Sequence, residues 1–427
     1  MSPKLQPVRG THDILPEESL KRKQILEEMA YVCSLYNYRE ISTPIFEFSE
    51  VFHRTLGETS DVVNKETYTF EDRGGESLTL RPEFTAPVVR AFLSNGQQDK
   101  TPFKVYYHGP AFRYERPQKG RMRQFHQFGA ELLGEAGPIG DIEMIAMAAQ
   151  ALATLGLNDS VRLELNSLGD NASRTAYRKQ LVVYFNDHRN KLSEDSIRRL
   201  EKNPLRILDS KDEGDKAIIA NAPDAKDYFT SEALDFFAQV QEALTATKIS
   251  YTLNPRLVRG LDYYTHTVFE FTTDKLGAQG TVLAGGRYDG LVAQMGGPDI
   301  PGVGFASGIE RLLALMETTQ HDWWQEIPCF AVIPVDDAQQ MEAIKLAQEL
   351  RYAGLVVEVI THGNMSKRMK RAARLNALGV LVVGEDEVKN GKITLKYMLD
   401  GSQHAIARNK AADDIKEFLQ KVAAHEL

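Results

Sequence analysis

Residues 112–125 alternate aromatic and polar side chains on both sides of a basic tip punctuated by Pro117 and Gly120, and the pattern reads as two strands joined in a hairpin. Strand side chains change face at every residue. Arg113 and Glu115 therefore share a face on the outgoing strand, and Phe125, Gln127, Gly129 and Glu131 share one on the return. A cation, carboxylates, an amide and an aromatic ring converge. For most charged strands, an amphipathic hairpin with its charges in water is the better reading. Here Lys119, Arg121 and Arg123 crowd the tip, and such cations repel one another unless a polyanion lies against them.

Strand patterns recur at 39–48, 77–85, 104–115, 124–134 and 161–168 without a long helix after each, which favours a largely antiparallel sheet over a doubly wound one. A helix over 17–36 precedes them, with Leu20, Met29, Cys33 and Tyr36 spaced to face one side. Residues 171–222 turn charged and helical and read as a module inserted into this domain. Strands return at 251–257, 264–273 and 281–284, and a helix is expected from near Ala306 to about Thr319. The segment 321–328, with Trp323, Trp324 and Pro328, reads as a hinge. It divides a first domain, 1–325, from a second, 329–427, and the 427 residues suffice for two or three cores.

The second domain alternates strands and helices. Strands are expected at 330–335, 355–360 and 380–383, and helices at 337–352, through Met341, Ile344, Leu346 and Leu350, and at 366–378. Asn390-Gly391 reads as a hairpin turn. The cations of the later helix, Lys367, Arg368, Lys370, Arg371 and Arg374, read as a solvated face rather than an RNA-facing one.

The motifs narrow the chemistry. No glycine-rich phosphate loop of the lysine-containing type occurs, and Gly302, Gly304 and Gly308 are spaced wrongly for a dinucleotide fingerprint. A nucleotide bound to an antiparallel sheet must instead be met by arginine forks and magnesium, with adenine between an aromatic ring and a guanidinium plane. Phe125 and Arg311 suit those two faces. Arg259 adds a third arginine beside Tyr263 and Tyr264. Glu131 with Tyr264 offers an acceptor and a hydroxyl to a neutral imidazole, while Glu83, Thr85 and Gln127 offer partners to an α-ammonium group. Each of these residues alone has an ordinary structural explanation, and only their combination is specific. Cys33 and Cys329 are the only cysteines, so a disulfide framework is excluded and a reducing cytosol is expected. No apolar run of membrane-spanning length is present, and a cytoplasmic protein without a membrane partner is expected. A net charge of -8 argues against a protein coated in nucleic acid and leaves room for a local basic groove.

Over essentially its whole length the chain resembles the histidyl-tRNA synthetase family of class II aminoacyl-tRNA synthetases. The hairpin resembles the second class II signature, 302–311 with its following helix the third, and 39–51 around Pro44 the first. Arg259-Gly260-Leu261-Asp262-Tyr263-Tyr264 and Gly285-Gly286-Arg287-Tyr288-Asp289 are similar to the family's two histidine-recognition segments. Two positions depart from the pattern: Phe84 stands where glycine is usual and Met122 where tyrosine is common.

The resemblance implies an α+β catalytic domain on an antiparallel sheet flanked by helices, a helical insertion and a C-terminal α/β anticodon-binding domain. It implies ATP as substrate, Mg2+, tRNA(His), L-histidine and a homodimer formed through the first signature. Catalysis would fall to Arg113, Arg259 and Arg311, and nucleotide binding to Arg113, Glu115, Phe125 and Arg311. Histidine would be held by Glu83, Thr85, Arg113, Gln127, Glu131, Arg259, Tyr263, Tyr264 and Tyr288. Arg116, Gln118, Lys119, Arg121 and Arg123 would approach the tRNA acceptor end or the nucleotide phosphates. Two rivals are a non-catalytic histidine-sensing regulatory relative and an RNA-sensing module in a larger protein. The retained Arg113, Arg311 and C-terminal domain argue against the first, and the absence of an additional domain argues against the second.

Overall fold

The computed structural model describes residues 5–56, 66–116, 121–210, 212–261, 263–277, 280–319 and 327–423, with backbone only at 209 and 423. The chain forms two compact units divided near residue 322. Of the expected hinge, 321–326 lie outside the described residues.

The first unit is built on an eight-stranded sheet. In spatial order the strands are Arg39–Glu40, Phe103–Phe112, Gln124–Leu133, Gly302–Gly308, Thr281–Arg287, Thr265–Thr272, Arg162–Ser167 and Thr252–Leu253. Every interior pairing is antiparallel, and only the two short edge strands run parallel to their neighbours. The hairpin is the longest pairing, in register from Phe103 opposite Leu133 to Phe112 opposite Gln124.

Several expected elements differ. The 39–48 strand is two pieces, Arg39–Glu40 and Phe46–Phe48, parted at Thr43-Pro44, because proline withholds an N–H from the ladder and restricts the residue before it. Arg81-Pro82 likewise ends the strand Ser77–Leu80, after which the chain enters the helix Thr85–Ser94. Long helices do follow strands, at Ile139–Thr154 and Asn171–Asp187 as well. The 251–257 strand shrinks to Thr252–Leu253. The helix expected from Ala306 begins at Ile309, since Gly302–Gly308 is a strand wedged between two others. The first helix, Pro16–Leu35, buries Arg22, Ile25, Met29, Val32 and Cys33, so an arginine lies on its inner face.

A separate three-stranded sheet sets Ser77–Leu80 between Phe46–Phe48 and Tyr68–Glu71. Phe46, Phe48 and Phe70 remain exposed on it, while Glu47 turns inward to pair with Arg90 at 2.5 Å. The helices Asn171–Asp187, Glu194–Lys202 and Glu213–Ile219 surround their own core of Tyr177, Leu181, Phe185, Leu200 and Ile207. Buried Asp215 ties that module together by accepting from the hydroxyls of Ser193, Ser196 and Ser210.

The second unit orders its strands Val356–Val359, Cys329–Pro334, Gly379–Val383, Lys392–Tyr397 and Gln403–Ala407, the first three parallel. Asn390-Gly391 does not turn a hairpin. It ends the helix Glu385–Lys389, and the hairpin between the last two strands is turned at 398–402. On the helix Gln340–Tyr352, Met341 and Ile344 are exposed, and the inner stripe is Ala343, Leu346, Ala347 and Leu350. Arg368 is not solvated: it is buried, donating to the carbonyl of Pro334 at 2.5 Å.

Candidate active site

The strands Gln124–Leu133, Gly302–Gly308, Thr281–Arg287 and Thr265–Thr272 form one wall of a cleft of about 610 Å³. Arg113, Arg259 and Arg311 come from three distant parts of the chain and all line it. Glu83, Thr85, Glu115, Phe125, Gln127, Glu131, Tyr263, Tyr264 and Tyr288 line it with them.

Glu131 is the centre of the buried end. Its Oε1 accepts from Thr85 Oγ1 at 2.7 Å and the Tyr107 hydroxyl at 3.0 Å, and its Oε2 from the Tyr288 hydroxyl at 2.6 Å. Burial pushes its carboxyl up to about 8; the hydroxyls of Tyr288, Thr85 and Tyr107 pull it back and the nearby Glu83 pushes it further. Gly304 lies opposite Glu131 in the ladder, and a Cβ there would fall 1.7 Å from Oε2. The glycine spacing that fits no phosphate loop thus makes room for a carboxylate.

Glu83 accepts from the backbone N–H of Thr85 at 2.6 Å and of Ala86 at 3.0 Å, satisfying the first turn of the helix Thr85–Ser94. Burial raises its pKa, against the pull of those two N–H groups. The Thr85 hydroxyl turns to Glu131, which places Thr85 at the imidazole end of the expected pocket. Gln127 is buried, and its Oε1 has no partner among the described residues. An acceptor so placed suits an ammonium donor.

The arginines are held differently. Arg113 follows the strand end and donates Nε to the Pro82 carbonyl at 2.9 Å, with its guanidinium 5.2 Å from the Phe125 ring centroid. Arg259 pairs with Glu270 and lies 5.5 Å from the Tyr264 ring centroid. Burial alone would lower the Arg259 pKa, and the Glu270 carboxylate together with Tyr264 and Tyr263 more than offsets it. Arg311 sits in the first turn of the helix Ile309–Met316, its pKa lowered by burial and then by the charge of Arg121. The next residue back, Glu310, accepts from Arg22 and from the His126 backbone N–H, each at 3.0 Å, with His126 Nδ1 2.9 Å away.

At the tip, Arg121 pairs with Glu115 at 2.8 Å and Arg123 lies 3.8 Å from the Tyr114 ring centroid. These two cations have partners within the chain, so mutual repulsion is a weaker argument for a polyanion than the sequence implied. Arg116 is exposed, while Gln118 and Lys119 lie outside the described residues.

A family model described as histidyl-tRNA synthetase matches residues 10–312, and one described as an anticodon binding domain matches 330–418. The chain belongs to the histidyl-tRNA synthetase family. Among histidyl-tRNA synthetase relatives, the histidine–tRNA ligase of Rhodospirillum rubrum is 52% identical over 97% of this chain and 99% of the relative. The crystal structure of apo S. aureus histidyl-tRNA synthetase superimposes with a TM-score of 0.81 at 37% identity, over 96% of this chain and 99% of that one. A Bacillus halodurans structure titled as an ATP phosphoribosyltransferase regulatory subunit/histidyl-tRNA synthetase shares the fold, with a TM-score of 0.65 at 24% identity over 89% of this chain and 98% of that one. The histidyl-tRNA synthetase architecture is therefore the class II one, a mixed sheet with flanking helices followed by an anticodon-binding domain with its own sheet.

Sequence reading missed Tyr107, Glu270, Glu310 and the pair Arg287–Asp141. Tyr107 was within reach: it has the same parity as Arg113 on the outgoing strand and pairs opposite Gly129, two residues from Glu131. Arg287 and Asp141 carried no such signal, because their sequence separation hides a contact made only in the core.

Proposed function

We propose that the chain is a histidine–tRNA ligase, activating L-histidine with ATP to histidyl-adenylate and passing the histidyl group to the 3' end of tRNA(His), with pyrophosphate and AMP released. One observation carries the reading: three arginines suited to a triphosphate line the same cleft as a buried carboxylate suited to an imidazole N–H.

The histidine carboxylate is ionised and needs no activation. The barrier lies in bringing it in line to a charged α-phosphate. Arg113 holds that phosphate and the attacking carboxylate, Arg259 meets them from another side, and Arg311 covers adenine and the outer phosphates opposite Phe125. Gln127 and Glu83 accept from the α-ammonium group, and Glu131 and Tyr264 answer the two ring nitrogens, with Tyr263 and Tyr288 closing the pocket. A substrate without an imidazole leaves those polar groups unpaired, a penalty that in such sites reaches about 10⁴ to 10⁵ in discrimination. Magnesium, a hard cation expected with ATP, would neutralise phosphate charge, and Glu115 and Glu270 on the cleft wall would be the oxygen donors to hold it.

The basic tip, Arg116 to Arg123, approaches the acceptor end of the tRNA, and the second unit reads its anticodon. Exposed Phe46, Phe48 and Phe70 on the small sheet support a homodimer through the first signature. Among the described residues no helix is long and apolar enough to cross a membrane. Histidine-dependent exchange of pyrophosphate into ATP tests the assignment: a synthetase performs it, and a histidine-sensing regulatory relative binds histidine without it.

A further inference from the structure

Phe84 is fully buried at the closed end of the cleft, with its ring stacked on Tyr107, centroids 4.4 Å apart and planes 4° from parallel. The guanidinium of Arg81 lies 3.8 Å from the same centroid. Two groups this close to one ring occupy its opposite faces, so Phe84 is the middle layer of a stack. The outer layer is pinned by backbone carbonyls. Arg81 is buried and donates to the carbonyls of Pro110 at 2.8 Å, Thr43 at 2.8 Å and Pro44 at 3.2 Å. Gly109, at a φ of 152°, keeps the space open, since a Cβ there would fall 2.7 Å from Arg81 Nη2.

The inner layer ends on the recognition group. Tyr107 donates its hydroxyl to Glu131 Oε1 at 3.0 Å, and its oxygen lies where a Cβ on Gly129 would come within 2.4 Å. Backbone, guanidinium, phenyl ring, phenol and carboxylate thus form one continuous column. We propose that Phe84 is a positioning residue for histidine recognition, clamping Tyr107 so that its hydroxyl fixes the orientation of Glu131. This rests on the reading of Glu131 as the partner of the imidazole, and it assigns a role to one of the two positions at which the sequence departs from its family pattern.

The test is histidine-dependent pyrophosphate exchange by the full-length chain, comparing wild type with Phe84→Leu, Tyr107→Phe, the double variant and Glu131→Gln. Phe84→Leu keeps apolar volume and loses the flat stacking face. It is expected to raise the KM for histidine about tenfold, a hydrogen bond's worth, with the KM for ATP and kcat within about twofold. Tyr107→Phe should raise it similarly, and the double variant should be no worse than Tyr107→Phe alone. Full additivity in the double variant would mean that Phe84 acts by bulk against the amino acid, and would overturn the proposal. An unchanged histidine KM in Tyr107→Phe overturns it too, even if no variant at position 84 folds. Glu131→Gln separates the two levels: if it leaves histidine KM unchanged, the underlying reading of the pocket fails, whereas a raised KM there with none in Phe84→Leu removes only the clamp.

Discussion

Arg287 donates Nη2 to Asp141 Oδ2 at 2.5 Å and Nε to the same oxygen at 2.9 Å, with neither side chain exposed at all. The guanidinium also donates to the carbonyls of Glu135 and Gly137, so its charge is paired and its N–H groups are used. The residue beside it, Tyr288, reaches Glu131, so the ion pair is the footing of the pocket proposed for histidine. Asp141→Asn would leave the buried guanidinium with the partly exposed Asp289 carboxylate, at 3.2 Å, as its remaining counter-charge. The expected loss is about 1.5–3 kcal/mol, the worth of charge-assisted hydrogen bonds, read by urea denaturation, together with a raised KM for histidine in the folded fraction.

Arg259 lines the cleft and is held by Glu270, and in the proposed reaction it meets the α-phosphate. Arg259→His removes charge from the place where negative charge builds in the transition state. Adenylate formation should slow by about 10² to 10³ while histidine affinity changes far less. Unaltered pyrophosphate exchange in this variant would refute the role.

The buried carboxyl of Glu131 gives a signed pH effect. Its ordinary value is 4.5 and burial pushes it up to about 8. Above pH 4.5 the unfolded chain gives up the proton that the folded chain retains, so stability from this residue is full below 4.5 and is lost as pH rises through about 8. Glu131→Gln should therefore be more stable than wild type by about 1–3 kcal/mol at pH 8.5, with the difference vanishing below pH 5. The same change should raise the histidine requirement sharply and spare ATP affinity. Urea melts at the two pH values, beside KM for each substrate, decide both points.

The apolar face of the small sheet predicts the oligomeric state. Phe48→Glu combined with Phe46→Glu should shift sedimentation from dimer to monomer and lower activity. A wild-type enzyme that sediments as a fully active monomer would count against the interface.

The two units, each with its own core, predict separable activities. A fragment ending near residue 326 should retain adenylate formation and lose most tRNA charging. Full charging by that fragment would exclude the second unit from the reaction.

What could be read in the sequence followed from periodicity. The hairpin, its shared face and the antiparallel sheet rest on a period of two, and a short repeat survives without knowledge of the rest of the fold. Gly302–Gly308 gave too little of that signal: glycine, alanine and serine around Val303 and Phe305 carry almost no polar alternation, and the strands on either side make that segment a strand. Met341 and Ile344 misled because an apolar residue can face water at little cost, while Ala343 and Ala347 line the core where the helix approaches its sheet. The charged pairs Arg259–Glu270 and Arg287–Asp141 join strands or helices whose adjacency is a property of topology, so no spacing rule could find them.

Arg22 extends from the first helix to Glu310, and His126 completes the triangle at 2.7 Å from the arginine. Glu310 adjoins Arg311 and His126 adjoins Phe125, so a single inward-facing side chain braces both surfaces assigned to adenine. Cutting away or unravelling the amino-terminal segment, though it touches no substrate, would loosen the grip on the nucleotide base.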